Sequence, residues 1–170
     1  MAINSNVNVH ELVVCANMFI RKDDKYLVLK RSPKKIHAPN VIHPVGGKVE
    51  PNEGALEAAL REAFEETGVK VKNVRLEAVI NEVHPPSVSV NWLIFHFSGD
   101  FDSGEVTATD EGELMWLTSD EIKQQEMFSS VDRIVDQMLD PGTGPVFASF
   151  FYDAQQNVDD SRSIIQVCAR

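Results

Sequence analysis

The spacing of apolar and polar residues changes period several times along the chain, and each change marks an element. Residues 11–20 (ELVVCANMFI) form an apolar, partly β-branched run that predicts a strand; RKDDK is a turn, and YLVLKR at 26–31 is its hairpin partner. Residues 32–44 hold three prolines and no period, which predicts a loop. Two adjacent glycines and Pro51 extend the irregular backbone from Val45 through Asn52. From Gly54 the period turns helical. Leu56, Leu60, Ala63, Phe64 and Thr67 recur on one stripe, which predicts a helix over Ala55–Thr67 with that stripe buried. Gly54 serves as its N-cap, Glu57 takes the capping-box position, and Gly68 supplies the stop.

Further along, VRLEAVINEV (74–83) and SVNWLIFHF (89–97) predict two strands joined through His84-Pro85-Pro86, with Glu77 read as a strand carboxylate outside the chemistry. ELMWLT (113–118) predicts a short strand, and SDEI opens a short helix at Ser119. SSVDRIVDQMLD (129–140) has the pattern of one amphipathic helix stopped by Pro141-Gly142, and PVFASFFYD with SRSIIQV predicts a closing hairpin. With no repeat and no linker, the expectation is a single α/β domain over residues 1–170, its strands mostly in hairpins.

Charge narrows the partners. Lys plus Arg is 16 against 26 for Asp plus Glu, a formal net charge of −10, which disfavours a nucleic-acid polymer because phosphate backbones reward clustered cations. A small polyanion can still bind if a divalent cation neutralises the carboxylates. Cys15 and Cys168 form no C-x-x-C spacing and too few pairs for a disulfide framework, so they read as thiols of a reducing compartment. The apolar run Leu12–Ile20 is preceded by no Lys or Arg and is far below the roughly 20 residues of a spanning helix. The expected location is cytoplasmic, with no membrane partner.

On the 55–67 helix, successive residues turn by about 100°, so with Glu62 at zero Glu65 falls near 300° and Glu66 near 40°. Three carboxylates thus converge, and Glu62 with Glu66 is an i,i+4 like-charge pair that weakens a helix unless something balances it. Crowded hard oxygen ligands are what Mg²⁺ or Mn²⁺ binds.

Gly47, Glu53, Arg61, Glu62, Glu65, Glu66, Gly68 and Val69 fit the pattern G-x5-E-x7-R-E-U-x-E-E-x-G-U, where U is a bulky aliphatic residue. In this stretch, residues 47–69, the chain resembles the Nudix hydrolases, and its predicted element order resembles their α/β/α sandwich with a mixed sheet. It departs at Ala63, where the pattern prefers Ile, Leu or Val, and at Gly54, where Ser or Thr is common. The resemblance implies cleavage of a diphosphate linked to another group, by water attack at phosphorus with divalent metal. It implies that Glu62, Glu65 and Glu66 bind metal with the Gly47 carbonyl, and that Arg61 orients a neighbouring glutamate. Glu53 matches an outer glutamate whose role, holding a neighbour or taking the proton, differs among members.

A further acidic ligand often comes from a later loop. Asp110, Glu111 and Glu113 are the candidates here, with Glu111 favoured. Gly46 frees the backbone to turn, and Lys48 beside it is placed to touch phosphate. The histidines lack ligand spacing, although His43 and His84 are placed to line a pocket; Trp92, Trp116 and Phe97 read as core. The resemblance points to a small-molecule nucleotide substrate, a nucleoside triphosphate including oxidised purines of the 8-oxo-dGTP kind. Pro85 lies sixteen residues past Val69, where a proline marks the ADP-ribose group of the family, so the resemblance leaves ADP-ribose or another nucleotide sugar as the alternative. A non-catalytic nucleotide-sensing domain is the reading from another class, although such domains usually lose motif glutamates. Dimers are common in the family, so a homodimer is open, with no residue here that shows one.

Overall fold

The alternating and helical patterns resolve into eight strands and four helices in a computed structural model that describes residues 11–88, 90–107 and 111–169. β1 (Glu11–Lys22) and β2 (Lys25–Arg31) form the first hairpin, turning at Asp23, whose φ is 57°. β3 (Ile42–Lys48) leads to α1 (Ala55–Thr67), then β4 (Val69–Val83), β5 (Val90–Gly104) and β6 (Gly112–Thr118). α2 (Ser119–Lys123), α3 (Ser129–Asp132) and α4 (Val135–Leu139) precede the hairpin of β7 (Val146–Phe151) and β8 (Ile164–Val167). One sheet runs in the order β6-β2-β3-β1-β5-β4-β7-β8, antiparallel except for the β1–β5 and β4–β7 pairs. α1 packs on one face over Ala16, Met18 and Val45, and α2–α4 on the other over Phe19, Val28 and Ile80. The architecture is the expected α/β/α sandwich with a mixed sheet.

Several expectations change. The predicted stripe of α1 is buried only in part: Ala63 and Thr67 are fully buried together with Ala58 and Ala59, whereas Leu56, Leu60 and Phe64 are 45%, 37% and 52% exposed. Small side chains let the helix axis come close to the sheet, and a large residue at these positions would hold it off. Ala63 is therefore suited to its place. The glycine-rich segment is not irregular but the second half of β3, with Gly46 and Gly47 opposite Asn17 and Ala16 of β1. Glycines carry no side chain, so alternation is invisible there; a Cβ on Gly46 would collide with the Ala16 carbonyl.

The predicted helix over 129–140 is two pieces. The apolar stripe survives, with Val131, Ile134, Val135 and Met138 buried, but Ile134 at φ −132° leaves helical geometry between α3 and α4. Arg133 beside the break is drawn to Asp160, Nε 3.0 Å from Oδ1, and its Nη1 donates to the Ser129 carbonyl at 3.1 Å. β4 and β5 run longer than predicted because they continue past Asn73, at φ 51°, as a bent ribbon.

Glu77 is the residue bulged out of register between Leu76 and Ala78. It is 2% exposed, takes an Arg75 Nη2 bond of 2.9 Å and accepts from the Ser98 hydroxyl. A bulge turns one side chain to the wrong face, and a buried carboxylate there needs its partners. It is structural, not a neutral surface position. Among the predicted core aromatics, Phe97 is buried, while Trp92 and Trp116 are half-buried.

Candidate active site

β2 pairs with β3 only as far as Pro44, so beyond Val45 the outer edge of β3 is open to α1. α1 is fixed along this edge by its ends. The Gly54 N–H donates to Glu57 Oε2 at 2.7 Å, and Gly68, at φ 74°, donates its N–H to the Phe64 carbonyl at 2.8 Å. Thr67, fully buried, returns its hydroxyl to the Ala63 carbonyl.

With the alanine face on the sheet, Glu62 and Glu66 come round to β3. The Gly46 N–H donates to Glu66 Oε2 at 3.0 Å, and a Cβ on Gly47 would run into the Glu62 carboxylate. Glycine at 47 therefore admits the side chain at 62. Burial pushes the Glu66 carboxyl up to about 7 against the pull of the Gly46 N–H, and the like charges of Glu62 and Glu111 push the same way. Glu65 is more than half exposed on the outer flank.

Arg61 ties the cluster together. Its Nε and Nη2 fork onto Glu53 at 3.1 and 2.7 Å, and its Nη1 donates to Glu62 Oε1 at 2.9 Å and Glu65 Oε2 at 3.0 Å. Nη2 also donates to the Lys48 carbonyl at 3.2 Å. One planar cation thus fixes three carboxylates. Glu53 also accepts the Glu50 N–H at 2.7 Å, and Arg61 together with this bond holds its carboxyl below the usual range.

The later loop supplies Glu111, paired with Lys35 from the 32–41 loop and near enough to Glu66 to raise its pKa. Lys35 had no signal in the sequence, because only the fold brings the proline-rich loop against β6. Asp110 lies outside the described residues. Glu113, on the edge strand opposite Lys30, instead lines a cavity of about 520 Å³ with Arg31, Ser32 and Asn40. Lys48 is exposed beside the cluster. His43 packs edge-on to Phe128 at 5.3 Å, and burial pushes its pKa down to about 4.

No group of three or more Asp, Glu, His or Cys side chains stands ready around a cation among the described residues. The cause is visible: the Arg61 Nη1 sits between Glu62 and Glu65. The donors nevertheless fit a hard divalent ion, being carboxylates and backbone carbonyl only, with half-buried Glu66 flanked by like charges that an ion would balance.

This scaffold, with an arginine-ordered carboxylate cluster on the helix at an open sheet edge, is that of a pyrophosphohydrolase. Residues 11–138 match the family model described as the NUDIX domain, and the chain belongs to the Nudix family. A Bacillus subtilis protein, described as the uncharacterized Nudix hydrolase YvcI, is 29% identical over 139 residues, which is 80% of this chain and 84% of that one. The NAD-capped RNA hydrolase NudC of Chromobacterium violaceum is 35% identical over 99 residues, 58% of this chain but 34% of its own length. The chain thus spans about a third of that relative. In fold, it is similar to a solved mutator MutT protein of Bacillus halodurans, at a TM-score of 0.78 and 24% identity, covering 91% of this chain and 97% of that one.

Proposed function

We propose that this chain hydrolyses a nucleoside triphosphate, including oxidised purine forms of the 8-oxo-dGTP kind, to the monophosphate and pyrophosphate with Mg²⁺ or Mn²⁺. The observation that carries the reading is the Arg61-ordered cluster of Glu53, Glu62 and Glu65 beside half-buried Glu66. In this reading the Gly47 carbonyl, Glu62, Glu65 and Glu66 hold the ion, with Glu111 contributing from the facing loop. Such an ion neutralises the polyphosphate and makes a bound water acidic enough to attack near neutral pH.

The chain's own groups do the positioning. Arg61 orients Glu62 and Glu65 from its fork on Glu53, and its Nη1, which lies between the two carboxylates, would withdraw as the ion enters. Glu53, committed to Arg61 and the Glu50 N–H, is a positioning residue in this scheme rather than the proton acceptor. Lys35 and Lys48 place cationic side chains on either side of the cluster, suited to phosphate oxygens. Gly46 contributes the N–H that holds Glu66. The full set of motif glutamates speaks against a sensing domain without chemistry.

A dinucleotide or nucleotide-sugar substrate, ADP-ribose among them, is the second reading, favoured by the likeness to NudC. Pro85 gives it little support, since it starts a turn in which its carbonyl accepts the Val88 N–H at 2.8 Å. The test is a substrate panel with Mg²⁺ and product analysis. Pyrophosphate plus a nucleoside monophosphate supports the triphosphate reading; AMP plus ribose 5-phosphate from ADP-ribose, with triphosphates untouched, replaces it.

A further inference from the structure

A second group of polar side chains lies on the sheet face shared by β1, β5 and β4. Val13, Trp92 and Glu82 are Cα partners in one row across these strands, with Cys15, Ile94 and Ile80 in the next. Ala78 and Ile80 are buried in the core on this face, and Glu82 follows at the same alternation. Around it Val13, Cys15, Trp92 and Ile94 are only partly buried, so side chains at this end of the face reach solvent.

Glu82 is 14% exposed and accepts the Tyr152 hydroxyl at 3.1 Å. The His84 ring lies flat on the Tyr152 ring, with centroids 4.5 Å and planes 12° apart. His84 Nε2 is 3.9 Å from Glu82 Oε2, and its Nδ1 is 3.0 Å from Gln156 Oε1. Tyr152 and Gln156 lie beyond residues 11–138, so this group is assembled partly by the C-terminal segment outside the matched family stretch.

An ionised carboxylate is an acceptor with about four lone-pair positions, of which Tyr152 takes one. Beside aromatic rings, it suits a flat ligand whose edge offers adjacent N–H donors. Guanine offers N1–H and the 2-amino group side by side. Adenine presents a ring-nitrogen acceptor that meets the carboxylate lone pairs. Three strand spacings separate β3 from β4, about 14 Å. α1 packs on the opposite face, but Glu66 reaches the open edge of β3, and Cys15 on the Glu82 face feels the charges of both Glu82 and Glu62. A nucleotide with its base at Glu82 therefore extends along this face to phosphates at the β3 edge.

We propose that Glu82, with His84, Tyr152 and Trp92, forms the base subsite and selects guanine-type bases. The proposal rests on the nucleotide-hydrolase reading above, but its test does not need cleavage. Binding of GMP, IMP and AMP is measured by titration calorimetry on the wild type and on Glu82→Gln, and kcat/KM is measured for GTP, ITP and ATP. The wild type is expected to bind GMP about tenfold or more tighter than IMP, which lacks the 2-amino group, and than AMP, as loss of a charge-assisted hydrogen bond requires. Glu82→Gln should bring both ratios close to one, and Tyr152→Leu should weaken all three ligands together by losing stacking surface. Equal wild-type affinity for GMP and AMP overturns the subsite, as does a ratio unchanged in Glu82→Gln. The wild-type ratios decide the matter even if a variant fails to fold. Guanine-selective binding without pyrophosphate release from GTP, dGTP or 8-oxo-dGTP would keep the subsite and reject the triphosphate reading.

Discussion

Arg61 and Glu53 form a fork, Nε to Oε2 at 3.1 Å and Nη2 to Oε1 at 2.7 Å, that connects the segment before α1 to its second turn. Because the remaining nitrogen of Arg61 reaches Glu62 and Glu65, the orientation of two predicted metal ligands depends on an arginine that need not touch substrate. Arg61→Lys keeps the charge but loses the planar fork. We expect kcat to fall at least tenfold with Mg²⁺ while the melting temperature moves by no more than a few degrees. Steady-state kinetics with parallel thermal melts check it; activity within twofold of wild type would leave the fork without a role.

Metal should stabilise the fold through this cluster. An ion bound only by the native state adds about 2.7 kcal/mol when present at a hundred times its Kd, which corresponds to several degrees for a chain of this size. Wild type should melt higher with millimolar Mg²⁺ or Mn²⁺ and lose all activity in excess EDTA. Glu65→Gln, on the outer flank and remote from the buried alanines, should leave the metal-free melting temperature equal or slightly higher, shrink the metal-induced rise and lower kcat about a hundredfold or more. Glu105→Gln, at an exposed strand end, is the control. Glu77 is unsuitable because it is buried with Arg75 and Ser98. Full activity and a full metal shift in Glu65→Gln would reject its assignment as a ligand.

The alanine face of α1 makes a packing prediction. Ala63→Leu supplies the aliphatic residue that the motif prefers, but at a fully buried position against the sheet, and should cost roughly 1–3 kcal/mol by overpacking. Phe64→Ala, half-exposed in the wild type, should cost less. Urea unfolding of the two variants checks it; a larger loss in Phe64→Ala than in Ala63→Leu would mean that Phe64, and not the alanine face, carries the docking.

His96 gives the acid limb of stability a named source. It is fully buried between β1 and β4, stacked near Phe19 at 6.3 Å, and neither ring nitrogen has a partner among the described residues. Burial pushes its pKa down to about 3, with His43 nearby adding in the same direction. The unfolded chain therefore binds the proton first: the contribution to stability is complete above about pH 6.5 and is lost as pH falls toward 3. Glu66, whose carboxyl is pushed up, has the opposite slope, so the signal is the difference between wild type and His96→Leu. That variant should lose less stability than wild type between pH 6.5 and 4, up to about 1.4 kcal/mol per pH unit at the steepest. Parallel denaturation curves at each pH would show it, and identical slopes would count against the assignment.

Local chemistry was legible in the sequence. The 55–67 helix with its glycine ends, the β1–β2 and β7–β8 hairpins, the mixed α/β class and the grouping of Glu62, Glu65 and Glu66 all follow from spacing within a few residues, which the fixed geometry of helices and strands converts directly into position. What the spacing does not carry is which neighbour a face meets. That Ala58, Ala59 and Ala63 dock while Leu60 and Phe64 stay outside depends on how close the sheet allows the helix axis to come. That Gly46 and Gly47 belong to a strand depends on pairing with β1 some thirty residues earlier. Lys35 with Glu111, Glu77 with Ser98 and Glu82 with Tyr152 join residues between 21 and 76 positions apart. Contacts of that range leave no period in the chain, and only the packed sheet, with its bulge at Glu77 and its open edge at β3, decides them.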